Sequence, residues 1–66
     1  KGEQMIILGH EISIKLREKR ARKNITLSTA SKEIGISSKT LSLIENDRLD
    51  RVKKTIYKKI TDWLIQ

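Results

Sequence analysis

Apolar residues recur at helical spacing in the first part of the chain. Leu8, Ile12 and Leu16 follow one another at intervals of four residues, with good helix formers between them. Asn24 is a suitable stop because Asn tolerates the left-handed conformation that ends many helices. The pattern predicts a first helix over residues 10–23.

Two shorter helices follow, separated by a turn that contains a glycine. Thr26 is a suitable N-cap for a helix over residues 27–34, and Gly35 ends that helix. Ser37 is a suitable N-cap for the next helix, over residues 38–46. Two helices joined by such a turn form a helix-turn-helix, and the second helix of that motif fits a DNA major groove about 12 Å wide.

A fourth helix is predicted over residues 53–65. The last segment of the chain carries an apolar stripe with steps of three and four residues, which begins before this helix and consists of Leu49, Val52, Ile56, Ile60 and Trp63. Trp63, Leu64 and Ile65 add more apolar surface than so small a bundle needs, and this surface predicts a self-association patch on the C-terminal helix.

The N-terminal residues carry less pattern. Residues 1–4 are interpreted as a leader or a cloning remnant and are left out of the fold. Residues 5–8 form a short apolar run, either an ordered arm or a lead-in to the first helix. Residues 5–66 are therefore predicted to form a single all-α domain, a compact bundle of four to five helices.

Positive charge is concentrated on both sides of the predicted motif. The net charge is +7, from 15 Lys+Arg against 8 Asp+Glu. Residues 15–23 and 48–59 each hold six bases and one acid, whereas residues 24–47 are close to neutral. Two basic segments around a neutral centre suit a protein that grips phosphates on either side of the element that reads the bases.

Other functional classes find little support in the composition. The chain has no cysteine and a single histidine, His10, so no metal site is expected. No spacing suggests a nucleophile with its base, and we expect neither an enzyme nor a bound cofactor. No apolar stretch reaches membrane-spanning length, and a cytoplasmic location is the default expectation.

A family resemblance runs from Leu8 to Leu64 in unbroken register. The residues that carry it are Leu8-Gly9, Leu16-Arg17-Glu18, Arg20, Ile25-Thr26-Leu27, Ala30, Glu33-Ile34-Gly35-Ile36-Ser37, Thr40-Leu41-Ser42, Ile44-Glu45-Asn46, Thr55-Ile56 and Trp63-Leu64. In these residues the chain resembles the Xre or lambda-repressor-like helix-turn-helix proteins, which include phage repressor and Cro proteins.

The resemblance implies a lambda-repressor-like bundle that regulates transcription by binding specific double-stranded DNA. Repression is the commoner outcome in this family, and homodimers on a two-fold operator are expected. The resemblance implies base contacts by Ser38, Lys39, Ser42 and Leu43. It implies phosphate contacts by Thr26, Ser28, Asn46, Arg48 and Arg51.

The resemblance also implies a structural ion pair between Arg20 and Glu45. Arg20 continues the apolar stripe of the first helix, and a charge at such a position needs a carboxylate partner because an unpaired buried charge is costly.

Three residues depart from the usual family pattern. Leu27 stands in place of a common glutamine, Leu43 in place of a polar reader, and Asp47 in place of a glycine, so the turn at Asp47 is expected to differ.

Two alternative functions remain open at this point. One is a protein-interaction module of the same fold, such as an antirepressor or antitoxin, which Leu27, Leu43 and the apolar run at residues 5–8 favour. The other is a basic amphipathic peptide at a membrane surface, which the helix caps and the turn at Gly35 disfavour.

Overall fold

The computed structural model describes residues 4–66, which form four helices and a two-stranded sheet. The elements are β1 (Met5–Ile7), α1 (His10–Lys23), α2 (Leu27–Ile34), α3 (Ser38–Glu45), β2 (Arg51–Lys53) and α4 (Lys54–Leu64). The mostly helical fold agrees with the prediction, but the sheet corrects the all-α description. The described residues contain no fifth helix.

The predicted leader lies outside the described residues, except for Gln4. The carbonyl oxygen of Gln4 accepts a hydrogen bond from the backbone N–H of Lys54 at 3.0 Å. Leaving Gln4 out of the fold was therefore wrong, because its backbone extends the contact between the N-terminal arm and the start of α4.

The helix ends follow local sequence signals. The hydroxyl oxygens of Thr26 and Ser37 each accept a hydrogen bond, at 3.1 Å, from the backbone N–H three residues later. Asn24 has φ 55° and Gly35 has φ 94°, so both end their helices in the left-handed conformation. The last regular residue of α3 is Glu45, one residue earlier than predicted.

Residues 5–8 form an ordered arm, because β1 pairs antiparallel with β2 and places Ile6 opposite Val52. The prediction that Leu49 and Val52 begin the last helical stripe was wrong. Leu49 lies in the loop before β2, and Val52 is the buried residue of β2 between two exposed neighbours. A strand of three residues is too short to show its two-residue period clearly, and its partner lies far away in the sequence.

The core lies where the four helices and the sheet meet. Its buried apolar residues are Leu8, Leu16, Ala30, Ile34, Leu41, Ile44, Val52, Ile60 and Trp63. Trp63 is only 2% exposed, and its indole Nε1–H donates to Glu33 Oε1 at 3.0 Å. The prediction that Trp63 belongs to a self-association patch was therefore wrong. Ile65, which is 81% exposed, is the member of that patch that lies on the surface.

Lys19 is a buried base, although the sequence places it among the first group of basic residues. Its ammonium group donates to the carbonyl oxygens of Trp63 and Gln66 and lies 4.8 Å from the centre of the Trp63 ring. Burial lowers the pKa of Lys19, and the nearby positive charges of Lys23 and Arg22 lower it further. Lys19 therefore caps the C-terminal end of α4 and cannot contribute to an exposed phosphate-binding surface.

Candidate nucleic-acid interface

The turn between α2 and α3 sets the direction of α3. Gly35 adopts φ 94°, where an L side chain would be strained, and Ile36 packs against the core. The ammonium group of Lys59 donates to the carbonyl oxygen of Gly35 at 3.2 Å, which ties the turn to α4. No local pattern in the sequence predicts this contact, because Gly35 and Lys59 are adjacent only in the folded chain.

The four predicted base-contact residues lie together on the side of α3 that faces away from the core. Ser38 and Lys39 are exposed, and Ser42 and Leu43 are half-buried. Spacings of three and four residues place such positions on one helix face. Among residues 4–66, neither Lys39 nor the hydroxyl of Ser38 has a hydrogen-bond or ion-pair partner. This face is therefore left available for a ligand.

The one acidic residue of α3 points away from that face. Glu45 Oε1 and Oε2 accept hydrogen bonds from Arg20 Nη2 at 2.9 Å and Nε at 3.0 Å. The Glu45 side chain is only 5% exposed, and its hydrogen bond raises the pKa of Arg20. The structure thus brings together the two residues predicted to pair. It also leaves the outward face of α3 without negative charge.

Two predicted phosphate-contact residues lie at the start of α2. The Thr26 hydroxyl is occupied as the N-cap and bonds to Thr29, whereas Ser28 is exposed in the first helical turn. The first N–H groups of a helix have no partner within it and, together with the helix dipole, favour an anion. At the start of α2, the groups left to bind an anion are therefore the first backbone N–H groups and Ser28, rather than the Thr26 hydroxyl alone.

The other three predicted phosphate-contact residues are exposed after α3, but they are not equivalent. Asn46 Nδ2 donates to the Ser42 carbonyl at 2.8 Å, so this amide first closes the C-terminal end of α3. Arg48 lies in the loop and has an exposed side chain. Arg51 lies on β2, with its Nε 3.6 Å from a carboxylate oxygen of Asp50. Arg48 and Arg51 are the two charged members of this group, and Arg51 is paired with Asp50.

Asp47 anchors the loop to α1. It adopts φ 58°, the left-handed conformation that glycine favours. Asp47 accepts from the Ser13 hydroxyl at 2.8 Å and pairs with His10 Nδ1 at 2.9 Å. The hydrogen bond from Ser13 is the largest cause of a lowered pKa of the Asp47 carboxyl group, and the contact with His10 lowers it further. No signal in the sequence joins these three residues.

Two capped helices joined by a short turn that contains a glycine define the class of helix-turn-helix proteins. The family described as "Helix-turn-helix domain" matches residues 15–59, which is more than half of the chain, and the protein belongs to this family. Membership indicates DNA binding and a regulatory role. No curated protein and no solved structure matches the chain. Within residues 4–66, none of the helices combines the length and the apolar character needed to cross a membrane.

Proposed function

We propose that the protein is a sequence-specific repressor of transcription that reads the DNA major groove with α3. The outward face of α3 carries this proposal, because it combines short polar residues with Lys39 and turns its only carboxylate, Glu45, toward Arg20. A carboxylate on that face would be repelled by the phosphates that flank the groove. The proposal includes a cytoplasmic location, no cofactor and no enzymatic activity.

Each member of the α3 face suits a different feature of a base edge. The Lys39 ammonium can donate to the O6 and N7 acceptors of guanine. The hydroxyls of Ser38 and Ser42 can donate or accept, and the Leu43 side chain can contact a thymine methyl group. Specificity would come from these contacts, because phosphates carry no sequence information directly.

The start of α2 and the two arginines after α3, Arg48 in the loop and Arg51 on β2, would bind the DNA backbone. Ser28 and the first N–H groups of α2 would bind one phosphate, and the exposed Arg48 and Arg51, which follow α3 in the chain, would bind others. Two copies on a two-fold operator would place their α3 helices about one helical turn of DNA apart. Occupancy of the operator would then block the polymerase.

Selection from a pool of random duplexes tests this proposal. The protein is expected to enrich one sequence, and affinity for that sequence should fall steeply as the salt concentration rises. The same selection should be repeated at a second, higher salt concentration, where nonspecific binding is weaker. A pool that stays random at both concentrations would contradict sequence-specific binding.

The second candidate function is the protein-interaction module of the same fold, an antirepressor or antitoxin. The exposure of Met5 and Ile7, at 52% and 73%, favours it. Leu27, by contrast, packs against the core and does not supply a free apolar surface. The selection separates the two candidates, because a pure interaction module would enrich no DNA sequence.

A further inference from the structure

The two strands of the sheet differ in the chemistry of their exposed side chains. On β2 the outward side chains are Arg51 and Lys53, both basic and exposed. On β1 the outward side chains are Met5 and Ile7, which are apolar and 52% and 73% exposed. Charged residues on an edge strand oppose pairing with another chain, and β1 lacks this protection. The edge of β1 is therefore the one at which another strand could pair.

The backbone of β1 has hydrogen-bonding groups that point away from β2. The N–H of Leu8 donates to the carbonyl of Asp50 at 2.7 Å, so these two residues form a hydrogen-bonded pair. Hydrogen-bonded and non-hydrogen-bonded pairs alternate along an antiparallel ladder. Ile6 therefore bonds to β2, whereas the N–H and C=O groups of Met5 and Ile7 point to the open edge.

We infer that the open edge of β1 is a self-association surface on which a second copy adds its own β1 antiparallel. A two-fold axis at Ile6 places Met5 of each copy opposite Ile7 of the other, with the outward backbone groups of both residues in register. The result is a four-stranded sheet with both β1 strands in the centre. Met5 and Ile7 of both copies form one apolar cluster, and Arg51 and Lys53 stay on the outer strands.

The expected dimer is weak in the free protein. A three-residue edge buries far less than the roughly 800 Å² per partner of a stable interface. Each copy also carries a net charge of +7, so the copies repel one another and salt should strengthen their association. Two half-sites on one DNA would hold both copies at high effective concentration. This expected strengthening on DNA rests on the proposed function, in which two copies bind a two-fold operator.

Sedimentation equilibrium of the whole chain without DNA tests the inference. The wild-type chain should self-associate at high protein concentration, and more strongly at high salt than at low salt. Ile7→Lys should raise the dissociation constant at least about tenfold, because each dimer loses two buried isoleucines and gains two charges. Ile65→Lys is the matched control, since Ile65 is 81% exposed and lies outside the sheet. It should leave the dissociation constant nearly unchanged.

A second variant separates the backbone from the side chain. Ile7→Pro removes an N–H that points to the open edge and leaves the ladder with β2 intact. It should weaken self-association as Ile7→Lys does, while thermal melting followed by circular dichroism confirms that both variants fold.

Two results would overturn the inference. The first is a wild-type chain that stays monomeric at millimolar concentration. The second is an equal effect of Ile7→Lys and Ile65→Lys on the dissociation constant. Because no DNA enters the sedimentation experiment, its failure is distinct from a failure of the DNA selection.

Discussion

Helices α2 and α3 have the same length and begin with the same kind of cap, yet their surfaces differ. In α2 the Ser31 hydroxyl bonds back to the Ser28 carbonyl at 2.7 Å, and Glu33 is held by Trp63. In α3 the one carboxylate, that of Glu45, is buried against Arg20, whereas Glu33 of α2 is partly exposed. Equal length and capping therefore do not imply an equal role.

The acidic residues explain the difference. Glu33 connects α2 to α4 through Trp63, and Lys23 of α1 lies 3.4 Å from the same carboxylate. The hydrogen bond from Trp63 is the largest cause of a lowered pKa of Glu33, and the nearby Lys23 lowers it further. Glu45 connects α3 to α1 through Arg20. Both carboxylates hold their helices in place, but the Glu33 side chain is 37% exposed and the Glu45 side chain only 5%, so of these two helices only α3 hides its negative charge.

The largest expected effect comes from replacing Trp63, the core residue that donates a hydrogen bond to Glu33 of α2. Trp63→Ala should lower the free energy of unfolding by about 3–5 kcal/mol, because it leaves a cavity in the core. It also removes the hydrogen bond to Glu33. Urea unfolding measures the change, with Ile65→Ala as the exposed control, for which about 0.5 kcal/mol or less is expected. Similar losses for the two variants would contradict the assignment of Trp63 to the core.

The next largest effect concerns the ion pair of Arg20 and Glu45, which connects α3 to α1. Replacing either Arg20 or Glu45 alone should cost roughly 2–4 kcal/mol of unfolding free energy, because the partner is left as a partly buried, unpaired charge. Replacing both by apolar residues should recover much of that loss. The exposed pair of Lys58 and Asp62 is the control, at about 0.3–0.5 kcal/mol. Simple addition of the two single effects in the double variant would argue against a coupled pair.

Removing Arg51 of β2 should change the affinity for DNA without changing the preferred sequence. Arg51→Ala is expected to weaken binding to target and random duplexes by similar factors and to make the salt slope shallower by about one unit. Lys58→Ala removes the same charge from α4, outside the proposed interface, and should affect binding less. An effect of Arg51→Ala confined to the target sequence would instead make Arg51 a base reader.

The smallest effect concerns the loop after α3. Hydrogen bonds from Ser13 and His10 lower the pKa of Asp47 in the folded chain, so its contribution to stability is present above the pKa of the unfolded chain. That contribution should disappear as the pH falls through the lower, folded pKa. Urea midpoints of the wild type and Asp47→Asn should therefore differ at neutral pH and converge in acid. A difference that stays constant with pH would show that Asp47 acts without its charge.

Local signals predicted much of the fold. Caps at Thr26 and Ser37 and left-handed stops at Asn24 and Gly35 depend on neighbouring residues alone, so the bounds of α1 and α2 agree with the sequence analysis. The sheet could not be predicted, because it pairs residues distant in sequence through strands too short to show a period. The same limit hid the burial of Lys19, which depends on where α4 ends.

The candidate site divides in the same way. Helical periodicity was enough to place Ser38, Lys39, Ser42 and Leu43 on one outward face. The loop after α3 was less predictable, because Asn46 and Asp47 are occupied by contacts that form only in the folded chain. The sequence could identify the outward face of α3, but not the contacts that fix the loop after α3 in the folded chain.

The central claim is that α3 reads the bases, and the most direct test compares the sequences that different variants select. Lys39→Ala, Ser42→Ala and Leu43→Ala should be taken through the random-duplex selection at one fixed salt concentration, beside Lys58→Ala as control. We predict that Lys39→Ala relaxes the preference at a position that offers guanine acceptors, by roughly 1–3 kcal/mol of discrimination. Leu43→Ala should do so where the site offers a thymine methyl. If all three variants select the wild-type sequence as strongly as the control does, α3 is not the reader and the interaction-module candidate takes its place.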